Sequence, residues 1–223
     1  MQTSLSSLID HTLLRPDATA EEIRQLCQET ITYQFASACV YPCWVSYARE
    51  QLVDATLCSV VGFPLGMSMS ETKSIETSQL VRLGVDEIDM VIHIGALKSK
   101  NYSLVKSDIE CVVKAAEHAI VKVIIETCML TNEEKQLASL LAVEAGAQFI
   151  KTSTGFSKAG ATVADIALIR KVVGPEIGIK ASAGIRDYAT VMAMVEAGAT
   201  RIGTSAGVAI VEQEPKPYKK TLQ

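Results

Sequence analysis

Two lysines that lie within short, strand-like runs are the residues most able to do chemistry. Lys151 lies in Phe149–Gly155, which ends in hydroxyl residues and a glycine, and Lys180 lies in Ile177–Ser182. An ammonium group inside a buried strand costs free energy unless it has a partner or a function. A lysine amine that has lost its proton is a nucleophile and can form a Schiff base with a carbonyl compound. The two runs therefore indicate carbonyl chemistry.

The spacing of these two lysines predicts that they act together. They are one strand-helix unit apart, so their strands are expected to be neighbours about 4.8 Å apart. Two ammonium groups at about 4 Å repel by roughly 4 kcal/mol at an effective dielectric constant near 20. Such repulsion lowers a lysine pKa toward neutrality. We therefore expect Lys151 to be a neutral nucleophile beside Lys180.

Further charged residues are expected to point inward, on the same side of their strands as the two lysines. In Glu87–Ile92 the large apolar residues occupy alternate positions, which leaves Asp89 on the inward face with Glu87. The same alternation in the other strands gives a set of inward charged residues, namely Asp10, Asp89, Lys122, Lys151 and Lys180. A purely structural ion-pair network, for instance Asp89 with Lys180 and Asp10 with Lys122, is the alternative. Because buried ion pairs stabilise weakly, an active site is the better explanation.

Small residues lie at the carboxyl ends of the last three predicted strands. If the fold is a (β/α)8 barrel, these segments are its loops, and in such barrels the loops after the seventh and eighth strands often bind phosphate through backbone N–H groups. Glycines also simply turn the chain, but here they stand beside an amine nucleophile. The candidate phosphate-binding residues are Gly155, Gly184, Gly203 and Ser205.

Eight strand-like runs alternate with helical segments, which predicts an α/β fold of the (β/α)8 TIM barrel class rather than an open sheet. Helix starts are predicted at the capping boxes of Thr19 and Thr131. We expect one barrel domain over residues 1–211 and a polar tail over 212–223. The predicted strands cover residues 8–12, 37–41, 57–63, 87–92, 121–126, 149–155, 177–182 and 201–205. The segment 143–153 is echoed by 195–205, with Gly203 in the place of Lys151.

Composition narrows the class of protein. The chain has 223 residues, 48% of them hydrophobic, and a formal net charge of −4 without long basic runs, which argues against nucleic-acid or membrane-surface binding. The first residues lack the pattern of a signal peptide, and the six cysteines show no paired framework, so a cytoplasmic location is expected. The three histidines and the Cys39/Cys43 pair lack the spacing of a metal site, so neither a metal nor another cofactor is expected.

The sequence resembles the 2-deoxyribose-5-phosphate aldolases, a class I aldolase family, over nearly its whole length except the tail. The resemblance rests on the motifs Ile9–Leu13, Cys39–Pro42, Asp86–Asp89, Lys122–Thr127, Phe149–Gly155, Gly178–Arg186 and Gly203–Ser205. Ala183 and Ala206 stand where the family commonly has glycine and serine. Some members also use a C-terminal tyrosine, but here Tyr218 is followed by five residues and the role is not carried over.

The resemblance implies catalytic roles at three positions: Lys151 forms the Schiff base, Lys180 perturbs it and joins proton transfer, and Asp89 works in the proton relay. Asp10 and Lys122 have supporting roles. The implied reaction is the reversible cleavage of 2-deoxy-D-ribose 5-phosphate to D-glyceraldehyde 3-phosphate and acetaldehyde, without metal. The partners are thus small phosphosugars and aldehydes, and a homodimer is a possible assembly.

Two other functions fit the same residues. One is a different Schiff-base aldolase that acts on a related sugar phosphate, which a comparison of acetaldehyde with dihydroxyacetone phosphate as donor would distinguish. The other is a barrel that binds phosphosugars without reacting. Such a protein would need no paired lysines, which are costly to bury when idle.

Overall fold

The computed structural model describes residues 4–215. Its strands are β1 (Ile9–Leu13), β2 (Ser37–Val40), β3 (Leu57–Val61), β4 (Glu87–Val91), β5 (Ile120–Ile124), β6 (Phe149–Lys151), β7 (Gly178–Ser182) and β8 (Arg201–Thr204). Its α-helices are α1 (Ala20–Tyr33), α2 (Val45–Gln51), α3 (Ser70–Arg82), α4 (Ile94–Lys98), α5 (Tyr102–Ala115), α6 (Asn132–Glu144), α7 (Val163–Val173), α8 (Tyr188–Glu196) and α9 (Gly207–Glu212). Tyr218 and most of the predicted tail lie outside the described residues, and the predicted domain boundary stays a prediction.

The eight strands form one closed parallel barrel in sequence order, as predicted. Each strand is short and largely buried, since helices cover the outer face and side chains fill the inside. The register places Lys151 level with Lys180, and Asp89 level with Lys122. Lys180 is in turn level with Arg201 on β8. Strand register therefore aligns charged residues of β6, β7 and β8 with one another, and those of β4 and β5 with each other two residues away, since Lys122 is level with Phe149.

Helix starts follow the predicted caps. Thr19 and Thr131 each accept a hydrogen bond from the backbone N–H three residues on, and the glutamates there bond back to the caps. Thr162 and Asp187 also cap the helices that they precede. These side chains satisfy N–H groups that have no partner within the helix, so they fix where each helix begins after its strand.

Several elements end earlier than predicted. The sixth strand ends at Lys151 instead of residue 155, and three other elements end within two residues of a positive φ angle. The third strand ends before Gly62 (φ 61°), and the fifth ends before Glu126 (φ 54°). The helix α5 ends at Ala115, two residues before Glu117 at φ 52°. A left-handed residue interrupts both extended and helical backbone. The short helices α4 and α9 were not predicted, because about six residues are too few to show a helical period.

A buried ion pair ties the helical layer to β4. The Lys73 ammonium contacts Asp108 of α5 at 2.6 Å and donates to the Val91 carbonyl at 2.9 Å. Both charged side chains are fully buried. The pair therefore holds α3 and α5 against the carboxyl end of the strand that carries Asp89.

In the part of the chain described here, no helix has the length and apolar character needed to span a bilayer.

We expect Asp108→Asn to lower the free energy of unfolding by about 3 kcal/mol, because it leaves the Lys73 charge buried without a counter-ion. Urea unfolding measures the change. The matched control is the double variant Lys73→Met with Asp108→Leu, which removes both charges and should lose less stability than Asp108→Asn alone. A loss below about 1 kcal/mol in Asp108→Asn would contradict this account of the pair.

Candidate active site

Asp89 is the centre of the charged cluster inside the barrel. Its Oδ2 lies 2.6 Å from Lys151 Nζ and 2.7 Å from Lys180 Nζ. Its Oδ1 lies 2.9 Å from Lys122 Nζ. One carboxylate on β4 therefore contacts the side chains of three strands that follow it in the barrel, β5, β6 and β7.

Asp10 is the second carboxylate of the cluster. It contacts Lys180 at 2.5 Å, Arg201 at 2.7 Å and Lys122 at 3.6 Å, and it also accepts a hydrogen bond from Ser37. It thereby closes the cluster across the seam between β1 and β8. All five charged residues that were predicted to point into the barrel belong to this cluster. Both ion pairs of the structural alternative are also present, Asp89 with Lys180 and Asp10 with Lys122.

Two members of the cluster were not among the candidate site residues. Glu87 contacts Lys122 at 2.6 Å and Arg201 at 3.2 Å. The inward phase of Glu87 was visible in the sequence. Arg201 shares its phase with Gly203, two residues further along β8, and that spacing was the available signal. Glu87 and Arg201 extend the cluster toward the amino ends of β4 and β8, where they are the first residues of their strands.

Opposite charges set the pKa values in this cluster. Burial by itself would raise the pKa of Asp89, but Lys122, Lys151 and Lys180 outweigh it and hold that pKa well below the usual value. Burial would lower the pKa of Lys180, but Asp10 and Asp89 outweigh it and raise that pKa. The repulsion expected from a neighbouring lysine therefore does not decide the pKa of Lys180, which keeps its proton because two carboxylates contact it.

Lys151 differs from the other cations in its contacts. Four cations in the cluster, the three lysines and Arg201, face three carboxylates. Lys122, Lys180 and Arg201 each contact at least two carboxylates, whereas Lys151 contacts only Asp89 within the part of the chain that the structure describes. Lys151 is therefore the lysine of the cluster with the fewest counter-ions.

A cavity of about 280 Å³ opens above the cluster at the carboxyl ends of the strands. Among residues 4–215, Lys151 is the only lysine in its wall, and the other four predicted charged residues lie below it. The candidate phosphate-binding residues also line this cavity, namely Gly155, Gly184, Gly203 and Ser205. The structure thus places an amine and three small-residue loops around one space.

Backbone geometry explains part of this arrangement. Gly155 and Gly184 have φ angles of 88° and 81°, which side chains rarely allow. Ala183 adopts φ 68° at the position where the resembled family commonly has glycine. A Cβ atom at Gly203 would lie 2.9 Å from Lys180 Cε, so this glycine makes room for the Lys180 side chain as well as lining the cavity.

The cavity has two arginines that sequence reasoning missed. Arg15, in the loop after β1, lines the wall and pairs with Asp17 and Glu22 at the rim. Arg186, just after the turn at Gly184, lines the same wall. Their positions in loops, outside any strand alternation, gave no inward signal. Both add positive charge on the side of the small-residue loops.

Two buried thiols also reach the cluster. Cys39 and Cys58 are level with each other on β2 and β3, and their sulfurs lie with an Asp89 oxygen inside a group 4.8 Å across. Two thiols and a carboxylate are groups that can act as ligands of a metal ion. However, burial raises the pKa of Cys58 well above its usual value, and three lysines already neutralise Asp89. The local charge therefore disfavours a cation, and the thiols pack beside the site.

The depressed pKa values predict an acid-dependent stability. Between the folded and unfolded pKa values of Asp10 and Asp89 the unfolded chain binds more protons, so the free energy of unfolding falls as pH falls below about 4. We expect Asp10→Asn to be less stable at pH 7, and its slope between pH 4 and 3 should be shallower by up to about 1.4 kcal/mol per pH unit. Urea unfolding from pH 3 to 7 tests this, and identical slopes would contradict it.

Comparisons with known proteins agree with the geometry. Residues 5–213 match the family described as DeoC/LacD family aldolase. The chain is 60% identical over 215 residues to the deoxyribose-phosphate aldolase of Shouchella clausii, covering 95% of this chain and 96% of that one. The corresponding enzyme of Streptococcus sanguinis is 57% identical over 212 residues, covering 94% and 96%.

Solved structures give the same answer. An aldolase named QR15 superposes with a TM-score of 0.91 at 38% identity, covering 93% of this chain and 94% of that one. The deoxyribose phosphate aldolase of Aeropyrum pernix, described as a unique tetramer, gives a TM-score of 0.86 at 36% identity, with 93% and 89% covered. With the fold, the cluster and these similarities in agreement, the chain belongs to the DeoC/LacD aldolase family.

Proposed function

We propose that this chain is a deoxyribose-phosphate aldolase that reversibly cleaves 2-deoxy-D-ribose 5-phosphate to D-glyceraldehyde 3-phosphate and acetaldehyde. The observation that carries the proposal is that Lys151, alone among the clustered lysines, lines the cavity formed by the small-residue loops. Relatives at 55–60% identity carry this activity in their names. The substrate has the two groups that such a site would bind, a carbonyl and a phosphate.

Lys151 is the nucleophile in this mechanism. Its neutral amine attacks the aldehyde carbon of the open-chain sugar, and loss of water gives an iminium. The C2–C3 bond then breaks, and its electron pair moves toward the iminium to give an enamine on Lys151. The C3 hydroxyl loses its proton and becomes the aldehyde of glyceraldehyde 3-phosphate. Protonation of the enamine carbon and hydrolysis release acetaldehyde and return the amine.

Asp89 and Lys180 serve the proton transfers. Asp89 is 2.6 Å from Lys151 Nζ, so it can accept the proton that the amine must lose, directly or through one water. Lys180 is protonated because Asp10 and Asp89 raise its pKa, and it lies level with Lys151 on the neighbouring strand, where it can act as a proton donor. Asp10 and Lys122 support the pair by fixing the positions of Lys180 and Asp89.

The phosphate is assigned to the small-residue loops. Gly155, Gly184, Gly203 and Ser205 line the same cavity as Lys151, where backbone N–H groups can approach an anion closely. Arg15 and Arg186 add charge at this wall. The chemistry uses no metal in this proposal, since the iminium supplies the electron sink.

The remaining assignments extend from the same function. The proposed partners are small phosphosugars and aldehydes, without nucleic acid, and the proposed location is the cytoplasm. Assembly into a homo-oligomer, with a dimer as the first expectation, is also proposed. A tetramer is described for the Aeropyrum pernix protein. Light scattering of the full chain decides between these states.

A cleavage assay on 2-deoxyribose 5-phosphate, with and without EDTA, tests the function. We expect glyceraldehyde 3-phosphate to form at the same rate in both samples, because no step uses a metal. Lys151→Met should lower kcat at least about 10³-fold, since it removes the nucleophile. The matched control is Lys171→Met, which changes an exposed lysine of α7 and should leave the rate unchanged.

Three outcomes would contradict the proposal: no cleavage by the parent protein, loss of activity in EDTA, or full activity in Lys151→Met. In the reverse direction, acetaldehyde should be accepted as donor. Preference for dihydroxyacetone phosphate over acetaldehyde would instead assign the chain to a different Schiff-base aldolase.

A further inference from the structure

Glu126 is a buried carboxylate that the charged cluster does not use. It lies two residues beyond the end of β5, at φ 54°, in a backbone conformation that non-glycine residues rarely adopt. Backbone hydrogen bonds to the chain around β6 flank it on both sides, from Ile125 to the Lys151 carbonyl and from Thr127 to the Thr152 carbonyl. Its position beside the end of β6 is therefore fixed by the barrel.

The carboxylate of Glu126 binds Thr154 in two ways. Both of its oxygens lie 3.3 Å from the Thr154 backbone nitrogen, and the Thr154 hydroxyl donates to Oε2. The oxygen of that hydroxyl in turn accepts the backbone N–H of Phe156 at 3.1 Å. A continuous chain of hydrogen bonds thus runs from Phe156 through Thr154 to Glu126. Buried networks of this kind hold a backbone rigidly when every member is satisfied.

This network determines which N–H groups of the turn are available. Those of Thr154 and Phe156 are bonded to Glu126 and to the Thr154 hydroxyl. The N–H of Gly155, between them, has no hydrogen-bond partner within residues 4–215. All three residues line the cavity that holds Lys151. The turn is therefore held with one unpaired donor at the wall assigned to the substrate phosphate.

We propose that Glu126 is a positioning residue for the phosphate end of the substrate, acting through the turn Thr154–Phe156. The inference rests on the proposed function, because it concerns how that phosphate is bound. Strained backbone at Glu126 is consistent with it, since such conformations persist where the surroundings fix them and cluster at functional sites. Glu126 touches no reacting atom in this proposal.

A competing effect of opposite sign makes the proposal testable. A carboxylate near a phosphate site repels the phosphate, so neutralising Glu126 would strengthen substrate binding if charge decided the outcome. If positioning decides, the same change weakens binding, because the glutamine amide nitrogen cannot accept the hydrogen bonds that Thr154 donates. The direction of the change in KM separates the two effects.

The experiment compares cleavage of 2-deoxyribose 5-phosphate with cleavage of 2-deoxyribose, which lacks the phosphate. In Glu126→Gln, we expect kcat/KM for the phosphorylated sugar to fall about tenfold, mainly through a higher KM. For 2-deoxyribose it should change less than about threefold, because the turn has no phosphate to bind. The matched control is Glu110→Gln, the same change at an exposed residue of α5, which should keep the wild-type ratio of the two substrates.

A second variant covers loss of folding. Glu126→Gly removes the carboxylate but relieves the strain of a side chain at positive φ, so thermal unfolding should show a folded protein. It should lose the preference for the phosphorylated sugar at least as strongly as Glu126→Gln. An unchanged ratio of the two substrates in either variant, or a lower KM for the phosphorylated sugar, overturns the inference alone. A wild-type protein that cleaves neither substrate overturns the proposed function, and this inference with it.

Discussion

The contact of one carboxylate with three ammonium groups determines the design of this barrel. One carboxylate oxygen of Asp89 contacts the Lys122 ammonium, and the other contacts the ammonium groups of Lys151 and Lys180. Buried charges of this number are unfavourable unless each has a counter-charge close by. Because the Asp89 side chain points inward, it can contact Lys122, its register partner on β5, and also Lys151 and Lys180, which are level with each other on β6 and β7.

The same contact separates the roles of two otherwise similar lysines. Lys180 is bound between Asp10 and Asp89 and lies below the cavity, whereas Lys151 has one carboxylate and lines the cavity wall. Gly203 provides the space that Lys180 needs. In the internal echo, the position equivalent to Lys151 is thus occupied by a glycine that admits the second lysine. We interpret this pairing as the physical basis for the proposed division of roles between Lys151 as nucleophile and Lys180 as a protonated neighbour.

The sequence was sufficient for the barrel and for the inward direction of the five main charges, because β-branched alternation marks the faces of a strand. It was not sufficient for Arg201, whose inward phase is shared with a glycine instead of being marked by apolar neighbours. The predicted fifth strand extends to Glu126, because a positive φ angle at a glutamate cannot be recognised from residue type. The meeting of Cys39 with Cys58 depends on the register between β2 and β3, which composition does not reveal.

Borohydride reduction in the presence of 2-deoxyribose 5-phosphate, followed by mass mapping of peptides, tests most directly which amine forms the Schiff base. Reduction converts the iminium into a stable secondary amine, so the substrate-derived mass stays on the lysine that reacted. The predicted result is one modified peptide, containing Lys151, and no modification in Lys151→Met. A modified Lys180 or Lys122 in the wild-type protein, or an adduct that persists in Lys151→Met, would contradict the assignment of Lys151 as the nucleophile.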